Sequence, residues 1–242
     1  RPMLLKVCVN GARTPGEHPR LSASPEDVAA ECADAVAAGA NAIHLHPKDE
    51  QGRDSLLAPH VDRWVRAVRE RCPGTPVGVT TGGWTAPRAA DRLHAVRRWR
   101  ELPDFASVNW HEDGAEDVAA ALLERGVGVE AGIWHERGLR AWAASPIRRR
   151  CLRVLVEVQD MPPADAETVA PVLVEGVRRA DPGARVLLHG EERSTWATIV
   201  LARRLGLASR IGLEDTLALP DGRTAAGNAE LVRVAQGILC PA

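Results

Sequence analysis

The sequence predicts a single α/β domain spanning residues 1–242, folded as a (β/α)8 barrel (TIM barrel). Eight short apolar runs alternate with amphipathic stretches along the whole chain, and no long insertion interrupts them. The length of 242 residues suits one such barrel. A doubly wound open sheet is the alternative, but no Gly-x-Gly-x-x-Gly follows the first run, which weakens a dinucleotide-binding interpretation.

The apolar runs predict the strands of the barrel, because each is short, apolar and bounded by polar or turn-forming residues. The predicted strands are Leu4–Asn10, Asn41–His46, Val77–Thr81, Phe105–Trp110, Gly128–Trp134, Leu152–Val158, Arg185–His189 and Arg210–Thr216.

The intervening stretches predict helices, because their apolar residues recur at helical spacing. The first helix begins at Ser24 or Pro25, since serine caps a helix and proline suits its first turn. It ends before Gly39, a typical residue just past a helix end. The other predicted helices are Ala58–Arg71, Ala86–Arg100, Ala115–Arg125, Glu136–Ala143, Ala164–Ala180, Ser194–Leu205 and Gly227–Ile238.

The composition argues against several classes of partner. With 31 basic and 32 acidic residues, the chain has no charge excess for binding nucleic acid or an anionic membrane. No apolar run reaches the roughly 18 residues of a membrane span, and residues 1–9 show no signal-peptide pattern. The five cysteines include no C-x-x-C pair, which predicts reduced thiols and a cytoplasmic location.

Polar residues concentrate at the predicted C-terminal ends of the strands, the face that carries the active site in such barrels. Strand ends meet water, which explains asparagines and hydroxyls but explains paired histidines and paired carboxylates poorly. We therefore expect a functional site on this face. The residues are Asn10, His44, His46, Thr80, Thr81, Asn109, Glu130, His189, Glu214 and Asp215.

His44 and His46 predict a metal site. Residues two apart on a strand project to the same face, so both imidazoles can reach one ion. Glu214 is a candidate third ligand, and two histidines with one carboxylate form a ligand set of catalytic zinc. An H-x-H pair alone often occurs without a metal, so two polar residues at a strand end is the alternative interpretation.

The run Thr80-Thr81-Gly82-Gly83 ends the third predicted strand. Two glycines let the backbone approach a ligand, and their N–H groups can face a carboxylate or carbonyl oxygen. Either threonine hydroxyl is suited to relaying a proton. An ordinary glycine-rich turn is the alternative, and it is favoured when this run is considered alone.

Four further residues leave two interpretations open. Asp215 is a candidate base if the strand ends there and the chain turns; otherwise it caps the following segment. Arg210 lies at the far end of its strand from the proposed ligand, which favours a salt bridge at the start of that strand. Glu130 is either a substrate contact or a buried partner for an arginine, and His189 is either pocket-lining or structural.

These motifs together resemble those of the β-keto acid cleavage enzymes, whose prototype cleaves 3-keto-5-aminohexanoate. The resemblance extends from the first strand to Asn228-Ala229-Glu230, with the motifs in the same order and spacing. The motifs are Asn10-Gly11-Ala12, His44-Leu45-His46-Pro47-Lys48-Asp49, Thr80-Thr81-Gly82-Gly83, Ala106-Ser107-Val108-Asn109 and Arg210-Ile211-Gly212-Leu213-Glu214-Asp215.

The resemblance implies a (β/α)8 barrel that forms a dimer or tetramer and holds one zinc ion per chain on His44, His46 and Glu214. It implies that a small-molecule β-keto acid reacts with acetyl-CoA, the co-substrate, to give acetoacetate and a new acyl-CoA. In the family's mechanism the metal acidifies the C–H between carboxylate and keto group. The carbanion attacks the thioester carbonyl, CoA then moves to the former keto carbon, and a retro-Claisen step releases acetoacetate and leaves the new acyl-CoA.

The resemblance also implies residue roles. Asp215 is the base, acting through the hydroxyl of Thr80, which replaces a serine of the prototype. Arg210 stabilises negative charge on intermediates, in contrast to the salt bridge that its spacing favours. Lys48 stands where an arginine is usual, which keeps the charge but not the fork geometry. The expected substrate-binding residues are Asn10, Arg13, Thr81, Gly82, Gly83, Asn109 and Glu130.

Arg13 stands where the prototype has a carboxylate that suits an aminated substrate. A fixed cation there predicts a β-keto acid with a neutral or anionic distal group. Pairing of Glu130 with Arg13 is the alternative; it leaves the pocket neutral and favours alkyl substrates, with Trp84 and Trp110 as an apolar wall.

Two other functions remain open. A zinc-dependent aldolase or hydrolase on the same barrel uses the same ligands without CoA. A ligand-binding barrel that has lost its chemistry ranks last, because Asp215 and Thr80 are both present.

Overall fold

The computed structural model describes residues 3–241, so the ends of the predicted domain, residues 1–2 and 242, lie outside it. Strands and helices alternate in the predicted order. The strands are β1 (Leu5–Cys8), β2 (Ala42–Leu45), β3 (Val77–Thr80), β4 (Phe105–Asn109), β5 (Gly128–Ile133), β6 (Arg153–Val158), β7 (Val186–Gly190) and β8 (Ser209–Ile211). The helices are α1 (Pro25–Ala37), α2 (Ala58–Arg71), α3 (Ala89–Arg98), α4 (Ala115–Glu124), α5 (Glu136–Ala144), α6 (Pro163–Ala180), α7 (Thr195–Leu205) and α8 (Asn228–Leu239).

The strands form one parallel sheet in the order β7-β6-β5-β4-β3-β2-β1-β8. A parallel bridge between Leu187 and Ala208 brings the two end strands together. Across the same seam the Leu188 N–H donates to the Ala208 carbonyl at 3.0 Å, and the Ser209 hydroxyl donates to the Leu188 carbonyl at 2.8 Å. The sheet is therefore a nearly closed barrel, which confirms the predicted (β/α)8 fold.

The helices form the outer layer, and their apolar faces pack on the strands. In α2 the residues at helical spacing, Val61, Trp64, Val65 and Val68, are buried. The predicted start of α1 is confirmed, because the Ser24 hydroxyl accepts a hydrogen bond from the Asp27 N–H at 3.4 Å. Within residues 3–241, no helix combines the length and the apolarity needed to cross a membrane.

The eighth strand is shorter than the sequence predicts. It ends at Ile211, and the chain turns so that the Asp215 N–H donates to the Gly212 carbonyl at 2.9 Å. A Cβ on Gly212 would lie 1.9 Å from the carbonyl oxygen of Cys8, so only glycine lets the two backbones approach here. The predicted strand Arg210–Thr216 is therefore wrong in its second half, where a turn carries Glu214 and Asp215.

Candidate metal centre and active site

An open cavity of about 440 Å³ lies at the C-terminal ends of the strands, where barrel active sites are found. Its wall includes His44, His46, Thr80, Asn109, Arg13, Arg210 and Glu214 from the predicted set. It also includes Ala12, Glu17, Trp84, Ser107, Trp134, Glu157, Gln159, Glu191 and Glu192. Every predicted metal ligand thus reaches one cavity.

His44, His46 and Glu214 form a candidate metal centre. The Nε2 atoms of His44 and His46 lie 3.7 and 3.6 Å from the two carboxylate oxygens of Glu214. One ligand atom from each residue lies within 4.8 Å of the others. Tetrahedral ligands about 2.0 Å from an ion are roughly 3.3 Å apart, so small side-chain movements close this triad on a metal.

One carboxylate oxygen of the triad is unpaired within residues 3–241, as expected of a ligand to a metal ion. Glu214 Oε2 is buried, and it finds no hydrogen-bond partner in the part of the chain that the structure describes. Buried carboxylate oxygens are normally hydrogen-bonded or bound to a cation. The residues present therefore match the ion that the H-x-H pattern predicts.

Asn10 supports this centre through the backbone and does not line the cavity. Its side-chain amide donates to the His46 carbonyl at 2.9 Å, and its side-chain oxygen accepts from the His46 N–H at 2.9 Å. This pair of hydrogen bonds holds the end of β2 against the end of β1. The expected contact of Asn10 with substrate is therefore not supported by its position.

Arg210 connects the metal-ligand carboxylate to Asp215. Its buried guanidinium donates from Nη2 to Glu214 Oε1 at 2.9 Å and to Asp215 Oδ1 at 2.7 Å. The interpretation of Arg210 as a salt bridge at the start of its strand is wrong, because the side chain extends to the opposite end of the strand. The alternative in which Asp215 caps the segment that follows it is not supported either, because its carboxylate pairs with Arg210.

The environment of Asp215 suits a proton acceptor at neutral pH. Burial raises the pKa of Asp215, Arg210 lowers it and Glu214 raises it, with a result of about 7. Its Oδ2 atom is buried and has no hydrogen-bond partner among the residues described. One carboxylate oxygen therefore holds Arg210 while the other is available to a proton.

The two threonines of the predicted motif face different surroundings. The Thr80 hydroxyl lies in the cavity wall and accepts a hydrogen bond from the Gly82 N–H at 3.0 Å. The Thr81 hydroxyl donates to the Ser107 carbonyl on the neighbouring strand at 2.7 Å and is absent from the wall. Of these two hydroxyls, only that of Thr80 is available to a ligand.

The two glycines of the motif contact Trp84 and Glu112, and neither lines the cavity. A Cβ on Gly82 would lie 2.1 Å from the Trp84 ring, so the indole takes the space that the glycine leaves. The Gly83 N–H donates to the Glu112 carboxylate at 2.9 Å. Trp84 lines the cavity, whereas the predicted Trp110 is buried away from it. Direct substrate contacts of Gly82 and Gly83 are therefore not supported.

Arg13 lies in the cavity wall with its charge compensated. It pairs with Glu17 at 3.2 Å and with Glu192, and its Nε donates to the Leu213 carbonyl at 2.5 Å. The expectation of a neutral or anionic substrate depends on an uncompensated Arg13, and in the structure Arg13 is compensated by Glu17 and Glu192. The alternative pairing of Arg13 with Glu130 is wrong too.

Glu130 is fully buried below the cavity. Its carboxylate pairs with Lys6 Nζ at 2.5 Å and with Arg153 Nε at 3.5 Å. The structure thus supports the predicted role of Glu130 as a buried partner for an arginine. It does not support the alternative, a contact of Glu130 with substrate. Asn109 does line the cavity, and its amide donates to the Glu112 carboxylate at 2.9 Å.

Sequence reasoning missed Glu157, which lines the cavity from the end of β6. Burial raises the pKa of Glu157 to about 7 although Arg210 opposes the shift. The alternation of strand residues could have identified Glu157. Arg153 faces Glu130 in the barrel interior, and Glu157, four residues later on the same strand, projects to the same face. The neighbouring carboxylate of Glu191 follows β7 and also lines the cavity.

His189 lies between Glu157 and Asp215 but does not line the cavity, and neither of its ring nitrogens has a hydrogen-bond partner among the described residues. Its Nε2 lies 3.5 Å from Glu157 Oε2 and its Nδ1 3.8 Å from Asp215 Oδ1. Burial, together with the charge of Arg210, holds the pKa of His189 well below its ordinary value. His189 is therefore a neutral, buried residue behind the two carboxylates.

The barrel, the cavity on its C-terminal face and the buried triad define an enzyme-type (β/α)8 barrel with a candidate metal centre. Residues 2–240 match the family model described as beta-keto acid cleavage enzyme. The chain belongs to the β-keto acid cleavage enzyme family.

Individual relatives agree with this assignment. The chain is 24% identical over 241 residues to a 3-keto-5-aminohexanoate cleavage enzyme of Fusobacterium nucleatum subsp. nucleatum, covering 95% of this chain and 88% of that protein. It is 28% identical over 108 residues to the enzyme of the same name from Acetoanaerobium sticklandii, covering 44% and 38%.

Among solved structures, the chain is similar to ObcA in its ternary complex with a C4-CoA adduct and oxalate. The TM-score is 0.74 at 19% sequence identity, over 91% of this chain and 64% of that one. The chain thus spans a little under two thirds of ObcA. At this identity the likeness shows a shared fold.

Proposed function

We propose that this protein is a zinc-dependent β-keto acid cleavage enzyme. It condenses a β-keto acid with acetyl-CoA and, by a retro-Claisen step, releases acetoacetate and a new acyl-CoA. The observation that carries the proposal is the convergence of His44, His46 and Glu214 in the cavity of a barrel of this family. Asp215 is buried behind the cavity wall and is joined to Glu214 through Arg210.

The proposed metal is zinc, one ion per chain, because two imidazole nitrogens and one carboxylate oxygen form a common ligand set of catalytic zinc. When bound on His44, His46 and Glu214, zinc supplies Lewis acidity that makes the C–H between the substrate's carboxylate and keto groups easier to deprotonate.

Asp215 is the proposed base. The free oxygen of its carboxylate accepts the proton, and its pKa of about 7 places it near the optimum for general base catalysis at neutral pH. The hydroxyl of Thr80, in the cavity wall, relays that proton. Arg210 stays protonated beside both carboxylates and stabilises negative charge that develops on the reacting carbonyl groups.

Acetyl-CoA is the proposed co-substrate. The support is the family assignment together with the fold shared with ObcA, which was captured with a C4-CoA adduct. The open mouth of the cavity leaves room for a thioester arm to enter from solvent. A cytoplasmic location, suggested by the free thiols of all five cysteines, and a dimeric or tetrameric state remain predictions.

A double-label assay tests the reaction. Purified protein, zinc and a panel of β-keto acids are incubated with acetyl-CoA labelled separately in its acetyl group and in its CoA moiety. We expect the acetyl label in acetoacetate and the CoA label in the new acyl-CoA. Consumption of the β-keto acid at the same rate without acetyl-CoA would instead indicate an aldolase or hydrolase.

A further inference from the structure

A buried carboxylate outside the proposed ligand set holds several parts of the centre together. Asp54 Oδ2 accepts hydrogen bonds from His46 Nδ1 at 2.9 Å and from Trp84 Nε1 at 2.8 Å, and Oδ1 pairs with Lys48. The Asp54 side chain is 8% exposed. Both oxygens are therefore engaged by groups that lie in or beside the cavity wall.

The backbone of a tight turn places Asp54 there. The Asp49 N–H donates to the Arg53 carbonyl at 2.8 Å, Gly52 adopts a φ of +77°, and an antiparallel bridge joins Lys48 to Asp54. The turn thus returns the chain directly beside the residues that follow β2. The position of Asp54 does not depend on the metal.

The contact with Asp54 determines which nitrogen of His46 carries a proton. An ionised carboxylate can only accept hydrogen bonds, so Nδ1 of His46 is the donor. A neutral imidazole then keeps its lone pair on Nε2, the atom that lies 3.6 Å from Glu214. This is the tautomer a metal ligand needs. Nδ1 of His44, by contrast, is buried with no partner among the described residues.

Lys48 keeps this carboxylate charged. Its ammonium group is buried, pairs with Asp54 and donates to the Gly11 carbonyl at 2.6 Å. A buried carboxylate is stable only with such compensation. Lys48 therefore acts on the centre through Asp54, at a distance from the triad.

Trp84 is held by the same carboxylate although it is 47% exposed. Its indole stacks on the His46 ring, with centroids 5.7 Å apart and planes at 20°, and its N–H is bound to Asp54. The place left by Gly82 accommodates the ring. Loss of the hydrogen bond would leave an exposed indole beside the metal centre with only the stacking contact.

We infer that Asp54 is a positioning residue of the metal centre: it holds His46 in the Nδ1–H tautomer and anchors the Trp84 indole as a wall of the cavity. The inference rests on the proposed metal function for its consequence, tighter zinc binding. Carboxylates that hold a ligating histidine in this way typically contribute about 10- to 100-fold to metal affinity.

The first experiment measures zinc affinity by competition with a colorimetric chelator. We expect Asp54→Ala to bind zinc about 10- to 100-fold more weakly than the wild type. Asp54→Asn, which keeps an acceptor oxygen without the charge, falls between them. Glu50→Gln is the matched control, because Glu50 lies in the same loop, is 68% exposed and pairs with His60. Equal affinity of wild type and Asp54→Ala overturns the inference.

The second experiment reads the tautomer without zinc. Burial lowers the pKa of His46, but Glu214 and Asp54 raise it to about 9, so the zinc-free imidazole is neutral and has a defined tautomer only at higher pH. Long-range 15N–1H correlation spectra of histidine-labelled, zinc-free protein, recorded at about pH 10, distinguish Nδ1–H from Nε2–H, and His46→Gln assigns the signal. We expect Nδ1–H in wild type and Asp54→Asn, and loss of that preference in Asp54→Ala. An unchanged tautomer in Asp54→Ala overturns the positioning role. Failure of the wild type to bind zinc would refute the proposed function and leave this measurement decisive for Asp54.

Discussion

Arg210 and Asp215, five residues apart, form a buried ion pair in which both Nε and Nη2 donate to the same carboxylate oxygen, at 3.1 and 2.7 Å. The pair spans the turn that ends β8, and its second carboxylate oxygen has no partner among the described residues. The Asp215 side chain is thereby anchored through one carboxylate oxygen and available to a proton through the other.

Asp215→Asn should retain zinc and lower turnover by about 10²–10⁴-fold, because the amide cannot accept the proton. Steady-state kinetics and metal analysis of the same preparation check both parts. Asp221→Asn, at an exposed carboxylate, is the control and should turn over like the wild type. Near-normal turnover of Asp215→Asn would reduce Asp215 to a partner of Arg210.

His44→Ala and His46→Ala should each lose zinc and activity while keeping the barrel fold. The reason is that the apolar core between strands and helices does not involve these two side chains. Atomic emission measures the zinc content of each variant, and far-UV circular dichroism checks that the fold is retained. His94→Ala, on the surface of α3, is the control. A His46→Ala protein that still holds one zinc ion at the site would contradict the ligand assignment.

Glu130→Gln should affect stability and not substrate affinity. Removing one partner of a buried ion pair leaves Lys6 and Arg153 uncompensated, which typically costs about 3–5 kcal/mol. Urea denaturation measures the loss, and KM of the folded fraction should match the wild type. A raised KM with unchanged stability would restore Glu130 as a substrate contact.

Glu157→Gln should change how stability depends on pH. Burial raises the pKa of Glu157 from 4.5 to about 7, so the folded protein binds its proton more tightly than the unfolded chain. The contribution of Glu157 to the free energy of unfolding of the wild type is therefore lost as pH rises from about 4.5 to 7. The glutamine variant has no ionisable group at this position, so its free energy of unfolding does not show this decrease.

The free energy of unfolding of Glu157→Gln relative to wild type should thus rise between pH 5 and pH 8, by on the order of 1–3 kcal/mol. Urea titrations at the two pH values measure the difference. Glu167→Gln, exposed on α6, should show none. A constant offset between Glu157→Gln and wild type would mean that Glu157 is ionised throughout this range.

The distal group of the substrate should be positively charged, whereas the sequence position of Arg13 predicts a neutral or anionic group. Arg13 is already paired, whereas Glu157 and Glu191 line the cavity with no lysine or arginine in ion-pair contact among the described residues. At pH 8, above the pKa of about 7 of Glu157, we predict higher kcat/KM for an aminated β-keto acid such as 3-keto-5-aminohexanoate than for a dicarboxylic one. Glu191→Gln should lower the ratio of kcat/KM for the aminated substrate to kcat/KM for the dicarboxylic substrate. A wild-type preference for the dicarboxylic substrate would contradict this interpretation.

The positions of the strands and helices were predictable because they depend on local patterns. The apolar runs and the helix start at Ser24 need only neighbouring residues, and the observed elements agree with the predicted bounds to within a few residues, except in the second half of the predicted eighth strand. The end of β8 was not predictable in this way, because it depends on the approach of Gly212 to Cys8, which is distant in sequence.

The amino-acid sequence by itself determined the barrel and the candidate ligands, since period-two alternation places His44 and His46 on one face whatever surrounds them. Only the tertiary structure decided the partners of the charged residues. Arg13 is neutralised by Glu192, and His46 is held by Asp54 across a turn. The physical reason is that charge compensation and burial depend on distances between side chains, and packing sets those distances.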